Sequence, residues 1–358
     1  MLHPNGSNLS SPRPAILLAE DLRKSYGRRP ALRGLTFSLQ PGRVLGFLGP
    51  NGAGKTTAIR ILTTMLEPDA GRFVVAGIVS EYPDRIRRKI GVLPENLGFP
   101  KNVTGIEYLT FFGQLYGRTA ADARTRGLAL LEEVGLRQRA KSLVGTYSHG
   151  MRQRLGIARA LVNDPAVVFL DEPTLGLDPR GQQELLALIR RIAREREVGV
   201  VLCSHALAEV EGICDDVVIL SQGQVVAAGS VAEVLGHARK NVVRIHVPPP
   251  AVAKARRALA QVPNVLNVTV NGETPGWLTA ELVDSAGGAP PEEPPVRKKS
   301  PKKKAAMHRR PPASAKEPPA SNRVLEALVH AGIPVLSFEA GGGRLQDVFL
   351  DLTEEVIQ

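Results

Sequence analysis

A glycine-rich segment between a short apolar strand and a helical segment constrains this chain more than any other feature. It fits the pattern G-x-x-x-x-G-K-[ST] and reads Gly49-Pro50-Asn51-Gly52-Ala53-Gly54-Lys55-Thr56-Thr57. The apolar run Val44–Leu48 precedes it, and residues 56–66 are compatible with a helix. Glycines let successive backbone N–H groups turn toward one point, and a helix N-terminus favours negative charge. The segment therefore predicts a loop that holds a polyphosphate, with Lys55 on the β- and γ-phosphates and the Thr56 hydroxyl on Mg²⁺.

Apolar strands alternate with helical segments from about Ala15 to Leu235. Residues 167–170 and 200–203 are continuous apolar runs, which is typical of strands buried on both faces of a sheet. Helical patterns lie between them. This alternation predicts an α/β fold with a largely parallel core sheet.

Composition places the chain among ordinary globular proteins. It has 358 residues, of which 43% are hydrophobic and 23% charged. No apolar run is long enough to cross a bilayer, and the N-terminus lacks the pattern of a secretory signal, so we expect a cytosolic protein. The two cysteines, Cys203 and Cys214, are expected to be free, buried thiols and not a disulfide or a metal pair.

The C-terminal part differs from the rest in pattern and charge. Residues 1–14 are expected to be a disordered tail, 15–236 one domain and 240–358 a second domain. The sequence pattern of the second domain predicts strands and helices in the order β-α-β-β-α-β, which is that of a ferredoxin-like fold, with a disordered insert at 285–321. That insert holds nine basic and three acidic residues, about half of the net charge of +11.

Two adjacent carboxylates end the apolar run at 167–170. Asp171 is placed to hold Mg²⁺, directly or through water, and Glu172 can take a proton from an attacking water. An acidic pair at the end of a strand can instead cap the following turn. The phosphate loop upstream favours the chemical role.

The segment Tyr147–Leu155 resembles a sequence motif of a known protein family. Ser148-His149-Gly150-Met151 resembles the signature motif of the ATP-binding cassette (ABC) transporters, with His and Met where the usual motif has Gly and Gln. The segment lies after the phosphate loop and just before Asp171. Taken alone, it predicts an amphipathic helix capped by Ser148. The resemblance implies a P-loop ATPase domain with a RecA-like core and a helical signature subdomain.

The resemblance also implies further contacts with ATP and Mg²⁺. Tyr26 matches the aromatic residue that stacks on adenine, and His205 matches the histidine that contacts the γ-phosphate. Ser148 and Gly150 correspond to the residues that contact the nucleotide of the other subunit, and Asp178 belongs to the loop that crosses the dimer interface. The nucleotide site implied as a whole comprises Tyr26, Gly49, Pro50, Asn51, Gly52, Ala53, Gly54, Lys55, Thr56, Thr57, Ser148, Gly150 and Asp178, with Glu172, His205 and Lys55 in catalysis.

One position departs from the family pattern. The glutamine expected between the core and the helical subdomain is Glu95 here, in the run Gly91–Asn96. A carboxylate can ligate Mg²⁺ as an amide oxygen does, so the expected metal ligands are Thr56, Asp171 and Glu95. The Pro94-Glu95 pair and the tail 346–353 resemble the branch that serves ABC-2-type exporters.

The resemblance implies an ATP-hydrolysing subunit that dimerises head to tail around two ATP and two Mg²⁺ and powers export through a separate permease. We expect it at the cytoplasmic face of the membrane, bound to the permease through the Glu95 loop and residues 99–112. An alternative is a soluble ABC ATPase acting on nucleic acid or ribosomes, although nucleic acid is not the expected partner. Another is a non-hydrolysing regulatory cassette. The basic insert is expected to be a solvated linker, with contact to anionic lipid as the alternative.

Overall fold

The protein forms two compact units. The computed structural model describes residues 14–95, 98–204, 206–237, 241–263, 265–270, 275–282, 320–340, 345 and 348–349. The first unit extends to Leu235 and also includes the described residues between 345 and 349, while the second lies within 236–343. Predictions for residues 1–13, for His205 and for most of the insert fall outside the described residues.

The first unit alternates strands and helices, as the sequence pattern predicts. Its strands are β1 (Leu17–Tyr26), β2 (Arg29–Leu39), β3 (Val44–Leu48), β4 (Ala70–Val75), β5 (Ile78–Val79), β6 (Ile90–Leu93), β7 (Val167–Asp171), β8 (Gly199–Cys203), β9 (Asp216–Ser221) and β10 (Gln224–Ser230). Its helices are α1 (Lys55–Leu62), α2 (Pro83–Arg87), α3 (Gly105–Leu115), α4 (Ala120–Glu133), α5 (His149–Ala160), α6 (Pro179–Arg196), α7 (Leu207–Ile213) and α8 (Val231–His237). The boundary between the two units follows Leu235, near the end of α8.

A six-stranded sheet forms the centre of this unit, in the order β10-β9-β3-β8-β7-β6. The strands from β9 to β6 run parallel, and β10 is antiparallel to β9. Every residue of β3 and β8 is buried, which explains their continuous apolar sequences. Because the strands are parallel, the loops that follow β3, β6, β7 and β8 emerge at one edge of the sheet.

A second, antiparallel sheet has the order β2-β1-β4-β5. Its apolar residues share one core cluster with those of the central sheet. Phe37 of β2 meets Phe47 of β3 edge to face, with ring centroids 5.1 Å apart. This core fixes β3, and therefore the start of the glycine-rich loop.

Helices α3, α4 and α5 pack on one another and form the helical part of the first unit. A capping box starts α3: the Thr104 hydroxyl accepts the Glu107 N–H at 3.3 Å, and the Glu107 carboxylate accepts the Thr104 N–H at 2.8 Å. Helix α5 begins after Ser148, whose hydroxyl accepts the Met151 N–H at 3.2 Å. The predicted cap of this helix is therefore confirmed.

The second unit has the predicted order β-α-β-β-α-β. Its elements are β11 (Asn241–His246), α9 (Val252–Leu259), β12 (Val265–Val270), β13 (Trp277–Leu282), α10 (Ala320–His330) and β14 (Ser337–Ala340). The strands form an antiparallel sheet in the order β12-β13-β11-β14. Both helices pack through apolar residues on this sheet, so the ferredoxin-like prediction is confirmed.

Three boundaries differ from those predicted for this part of the chain. Helix α10 begins at Ala320, so the last two residues of the predicted insert belong to a helix. The sequence predicts a helix at 251–262, whereas α9 begins after a 3-10 turn at 249–251 and ends at Leu259. The sequence predicts the last strand at 334–339, whereas β14 spans Ser337–Ala340.

The described residues near the C-terminus group with the first unit, whereas the sequence places them in the second domain. Leu345 and Val348 are buried there, and the Leu345 N–H donates to the Glu211 carboxylate of α7 at 3.1 Å. The sequence predicts a last helix at 345–353, of which the structure describes only residues 345, 348 and 349. Across the part of the chain that is described, no helix combines the length and the apolar character needed to span a bilayer.

Candidate functional site: a phosphate loop and two carboxylates at one sheet edge

The glycine-rich loop connects β3 to α1 and leaves the start of that helix open. Gly54 is the N-cap of α1, has φ 110°, and provides no side-chain cap. A Cβ on Gly54 would lie 2.6 Å from the Ala31 carbonyl oxygen, so the left-handed backbone and the close approach both require glycine. The first N–H groups of α1 therefore remain available to an anion.

The Lys55 ammonium folds back over this loop. Its Nζ donates to the carbonyl oxygens of Gly49 at 2.5 Å and Pro50 at 3.2 Å. The side chain is thus held above the loop and away from the protein core. A polyphosphate in the loop offers this ammonium charged acceptors, which form stronger hydrogen bonds than neutral carbonyls do.

A cavity of about 390 Å³ opens over the loop. That volume falls within the usual range for small-molecule sites. The cavity is lined by Ala31, Asn51, Gly52, Ala53, Gly54, Lys55, Thr56, Thr57, Glu95, Asp171, Glu172 and Leu175. The structure therefore brings the predicted phosphate loop, both strand-end carboxylates and Glu95 together around one space.

Asp171 carries an electrostatic cost in this cavity. Burial raises the pKa of its carboxyl above the ordinary value, and the negative charges of Glu172 and Glu95 raise it further. Lys55 and Arg60 oppose these effects but do not cancel them. A nearby cation would therefore stabilise the ionised form of this carboxylate.

Glu172 occupies a backbone conformation that non-glycine residues rarely adopt. Its φ is 47°, and its N–H donates to the Cys203 carbonyl oxygen of β8 at 3.0 Å. Residues in the left-handed region persist only where the surrounding structure holds them, and they concentrate at functional sites. The turn after β7 therefore directs Glu172 into the cavity at a cost in local stability.

Glu95 belongs to two cavities. Besides the cavity over the loop, it lines a second one of about 480 Å³. The other residues of the second cavity are Gly98, Phe99, Lys101, Val144, Gly145, His149, Arg152 and Gln153. Glu95 thus lies between the phosphate loop and the first turn of α5.

Six of the predicted residues that the structure describes do not line the cavity over the phosphate loop. Gly49 and Pro50 begin the loop itself, and their carbonyl oxygens accept from the Lys55 ammonium. Tyr26 is the last residue of β1, and half of its surface is exposed. Ser148 is exposed and Gly150 half-buried at the start of α5. Asp178 caps α6, where its carboxylate accepts the Gly181 N–H at 3.3 Å. A single copy of the chain therefore assembles only part of the predicted constellation.

No role for His149 was predicted from the sequence, but the structure shows a contact for it. Its Nε2 lies 2.8 Å from the Leu175 carbonyl oxygen, in the loop that follows Glu172. The substitution of His for Gly in the signature was the only signal. Ala31 and Leu175, which also line the cavity, carry no chemical signal in the sequence.

Comparisons with known proteins agree with this geometry. The family model described as "ABC transporter" matches residues 32–175. The daunorubicin/doxorubicin resistance ATP-binding protein DrrA of Streptomyces peucetius is 33% identical over 335 residues, which cover 93% of this chain and 90% of that protein. The linearmycin resistance ATP-binding protein LnrL of Bacillus subtilis is 37% identical over 216 residues, or 60% of this chain and 69% of that one.

Solved structures share the fold of a large part of this chain. The ATP-binding subunit of an ABC transporter is 31% identical, with a TM-score of 0.55, over 62% of this chain and 92% of that one. CbiO1 of Clostridium perfringens, part of an ABC transporter complex, is 27% identical, with a TM-score of 0.59, over 62% of this chain and 91% of its own. The chain therefore belongs to the ABC transporter family and is an ATPase of that family.

Proposed function

We propose that the chain is the ATP-hydrolysing subunit of an ABC-2-type exporter and works with a separate membrane permease. The observation that carries the proposal is the single cavity that collects Lys55, Thr56, Asp171 and Glu172 at the carboxyl edge of the central sheet. Relatives named for daunorubicin/doxorubicin resistance and linearmycin resistance support export as the direction of transport. The cargo is then selected by the permease.

The residues around the cavity fit Mg²⁺. This ion prefers oxygen ligands, and the Thr56 hydroxyl and the carboxylates of Asp171 and Glu95 line the same space. Burial and the charges of Glu172 and Glu95 raise the pKa of Asp171, so a cation in this space would stabilise its ionised form. When bound with ATP, Mg²⁺ neutralises charge on the phosphates.

Within this site the chain's own residues have distinct tasks. Open N–H groups at the start of α1 bind the phosphates, and Lys55 exchanges its loop carbonyls for phosphate oxygens. Glu172 accepts a proton from the attacking water. We assign adenine stacking to Tyr26 and contact with the γ-phosphate to His205, as the family resemblance implies.

A complete site requires a second copy of the chain. Ser148 is exposed at the start of α5, and neither Ser148 nor Gly150 lines the cavity over the loop of its own chain. In a head-to-tail dimer each signature helix start meets the phosphate loop of its partner, with Asp178 at the interface. Such a dimer closes on two ATP molecules, and hydrolysis releases the closed state.

The permease is proposed to dock on the helical part of the first unit. Helix α3 exposes two large apolar side chains, Phe111 at 55% and Leu115 at 65%. Exposed apolar groups of this size on one helix are typical of interaction surfaces. Phe99, which lines the second cavity with Glu95, meets Tyr108 of α3 edge to face, with ring centroids 5.2 Å apart. Through the permease, the protein would lie at the cytoplasmic face of the membrane.

A pull-down from native membranes tests the proposal. Glu172→Gln is expected to bind ATP–Mg²⁺, dimerise and hydrolyse ATP very slowly, so it should retain its partners through purification in mild detergent. A polytopic membrane protein in stoichiometric amount is the expected result. The same variant with Phe111→Ser and Leu115→Ser should still dimerise but lose that protein. Recovery of only soluble proteins or ribosomes would contradict the exporter assignment.

The basic segment at 285–321 gives a separate proposal. It lies almost wholly outside the described residues, and its contact with anionic lipid stays a prediction. Each basic residue contributes at most about 1 kcal/mol near an anionic membrane surface. Flotation with liposomes should depend on their anionic lipid content, and flotation that is independent of that content would exclude the contact.

A further inference from the structure

A single carboxylate oxygen on α7 receives two buried hydroxyl groups. Glu209 Oε2 accepts from Thr174 Oγ1 at 2.8 Å and from Ser204 Oγ at 2.9 Å. Thr174 is 2% exposed and Ser204 1% exposed. The Ser204 oxygen in turn accepts the Ala206 N–H at 3.1 Å. Glu209 is therefore the centre of a small buried hydrogen-bond network.

The two hydroxyls come from different loops at the catalytic edge of the sheet. Thr174 lies two residues after Glu172, in the turn that follows β7. Ser204 directly follows β8 and, with Ala206, flanks position 205, which lies outside the described residues. A second tie joins the same two segments, since the Glu172 N–H donates to the Cys203 carbonyl oxygen. The carboxylate thus fastens the Glu172 turn to the loop after β8.

Physical chemistry makes this network sensitive to loss of its acceptor. A buried hydroxyl without an acceptor carries a desolvation penalty, and hydrogen bonds to a charged acceptor are stronger than neutral ones. Glu172 also has a positive φ, a conformation that its surroundings must maintain. Removal of the Glu209 carboxylate would free both hydroxyls and loosen the turn that carries the strained residue.

We infer that Glu209 is a positioning residue in ATP hydrolysis: it sets the place of Glu172 relative to the loop after β8. The inference rests on the proposed role of Glu172 as the base. Glu209 lines neither cavity and acts only through Thr174 and Ser204. Its effect should therefore fall on the chemical step and not on nucleotide affinity.

Steady-state ATP hydrolysis by three variants of the full chain tests this inference. Glu209→Ala should lower kcat by about tenfold to a hundredfold, as misplacement of a catalytic group by about 1 Å does, with KM for ATP nearly unchanged. Glu209→Gln keeps a carbonyl oxygen that can accept both hydroxyls and should restore most of the turnover. Glu211→Gln, two residues along α7, is the matched control, because its carboxylate contacts the Leu345 N–H instead.

A double-mutant cycle provides a second test that does not depend on the fold tolerating Glu209→Ala. Thr174→Val and Ser204→Ala each remove one hydroxyl. Since both hydroxyls share Glu209 Oε2, the double variant should lose less turnover than the product of the two single losses. Far-UV circular dichroism and ATP affinity should match the wild type in every variant.

Three results would overturn the inference: wild-type kcat in Glu209→Ala, equal loss in Glu209→Gln and Glu209→Ala, or multiplicative losses in the cycle. Glu172→Gln measured in parallel separates the two proposals. If that variant hydrolyses ATP normally, Glu172 is not the base, whatever Glu209 does. If it is inactive while Glu209→Ala is normal, the base stands and the positioning role fails.

Discussion

Replacement of Gly91 with alanine should force β6 away from the end of α5. Gly91 is buried in β6, and a Cβ built on it would lie 2.1 Å from the Ala160 carbonyl oxygen and 2.8 Å from the Ala160 carbonyl carbon. Both are backbone atoms, so no side chain can rotate out of the way. The strand leads to Glu95, and the helix begins at the signature segment, so the change disturbs two parts of the proposed site together.

The size of the effect follows from the geometry. Ordinary van der Waals contact begins near 3.4 Å, so strand and helix must separate by about 1.3 Å. Overpacking of a close-packed core costs about 1–3 kcal/mol, and a purely backbone clash belongs at the upper end. For a domain of this size each kcal/mol lowers the melting temperature by about 2–4 °C. Gly91→Ala should therefore melt about 4–12 °C lower and hydrolyse ATP more slowly at temperatures where it is folded.

Thermal unfolding followed by circular dichroism, with ATP hydrolysis in parallel, checks this prediction. Gly212→Ala is the matched control: a Cβ there has no atom within 4 Å, and the residue lies in α7. Alanine at such a position is expected to be neutral or to stabilise by about 0.4–1 kcal/mol. A melting temperature of Gly91→Ala that equals the wild type would refute the reasoning, as would equal destabilisation by both substitutions.

Three further substitutions test other parts of the first unit. Burial and neighbouring carboxylates raise the folded-state pKa of Asp171, so the metal-free protein loses stability as the pH rises through that pKa. Asp171→Asn should therefore melt higher in EDTA at neutral pH, and the difference should vanish below about pH 3, where the wild-type carboxyl is protonated in both the folded and the unfolded state. Thr104→Ala removes the side-chain cap of α3 and should lower the free energy of unfolding in urea by about 1 kcal/mol. An unchanged free energy of unfolding would mean that Glu107 alone stabilises the start of the helix. Glu133→Gln weakens the ion pair with the half-buried Arg196, which donates two hydrogen bonds to Glu133; the hydrogen bonding to Glu133 raises the pKa of Arg196. The substitution should lower the free energy of unfolding by about 1–3 kcal/mol in the same urea assay, and a loss below about 0.5 kcal/mol would show that the pair is only a surface contact.

Much of the first unit was predictable because its signals are local. The continuous apolar runs at 167–170 and 200–203 identify buried parallel strands, and Gly49–Thr57 identifies the loop between strand and helix. Ser148 as a helix cap follows from its own side chain and the residues after it. The boundaries of α9, α10 and β14 were less accurate, since turns and a helix start depend on neighbours that a short pattern does not specify.

The sequence by itself determined which groups the protein has for its chemistry: the phosphate loop with Lys55, the acidic pair after β7, and their order along the chain. Only the tertiary structure decided that Glu95 shares their cavity, that the start of α5 does not, and that Glu209 joins two loops. The physical reason is that motifs arise from local backbone and side-chain preferences, which neighbours in sequence carry. Contacts between residues 30 or more positions apart depend instead on sheet order and packing, because parallel strands bring distant loops to one edge.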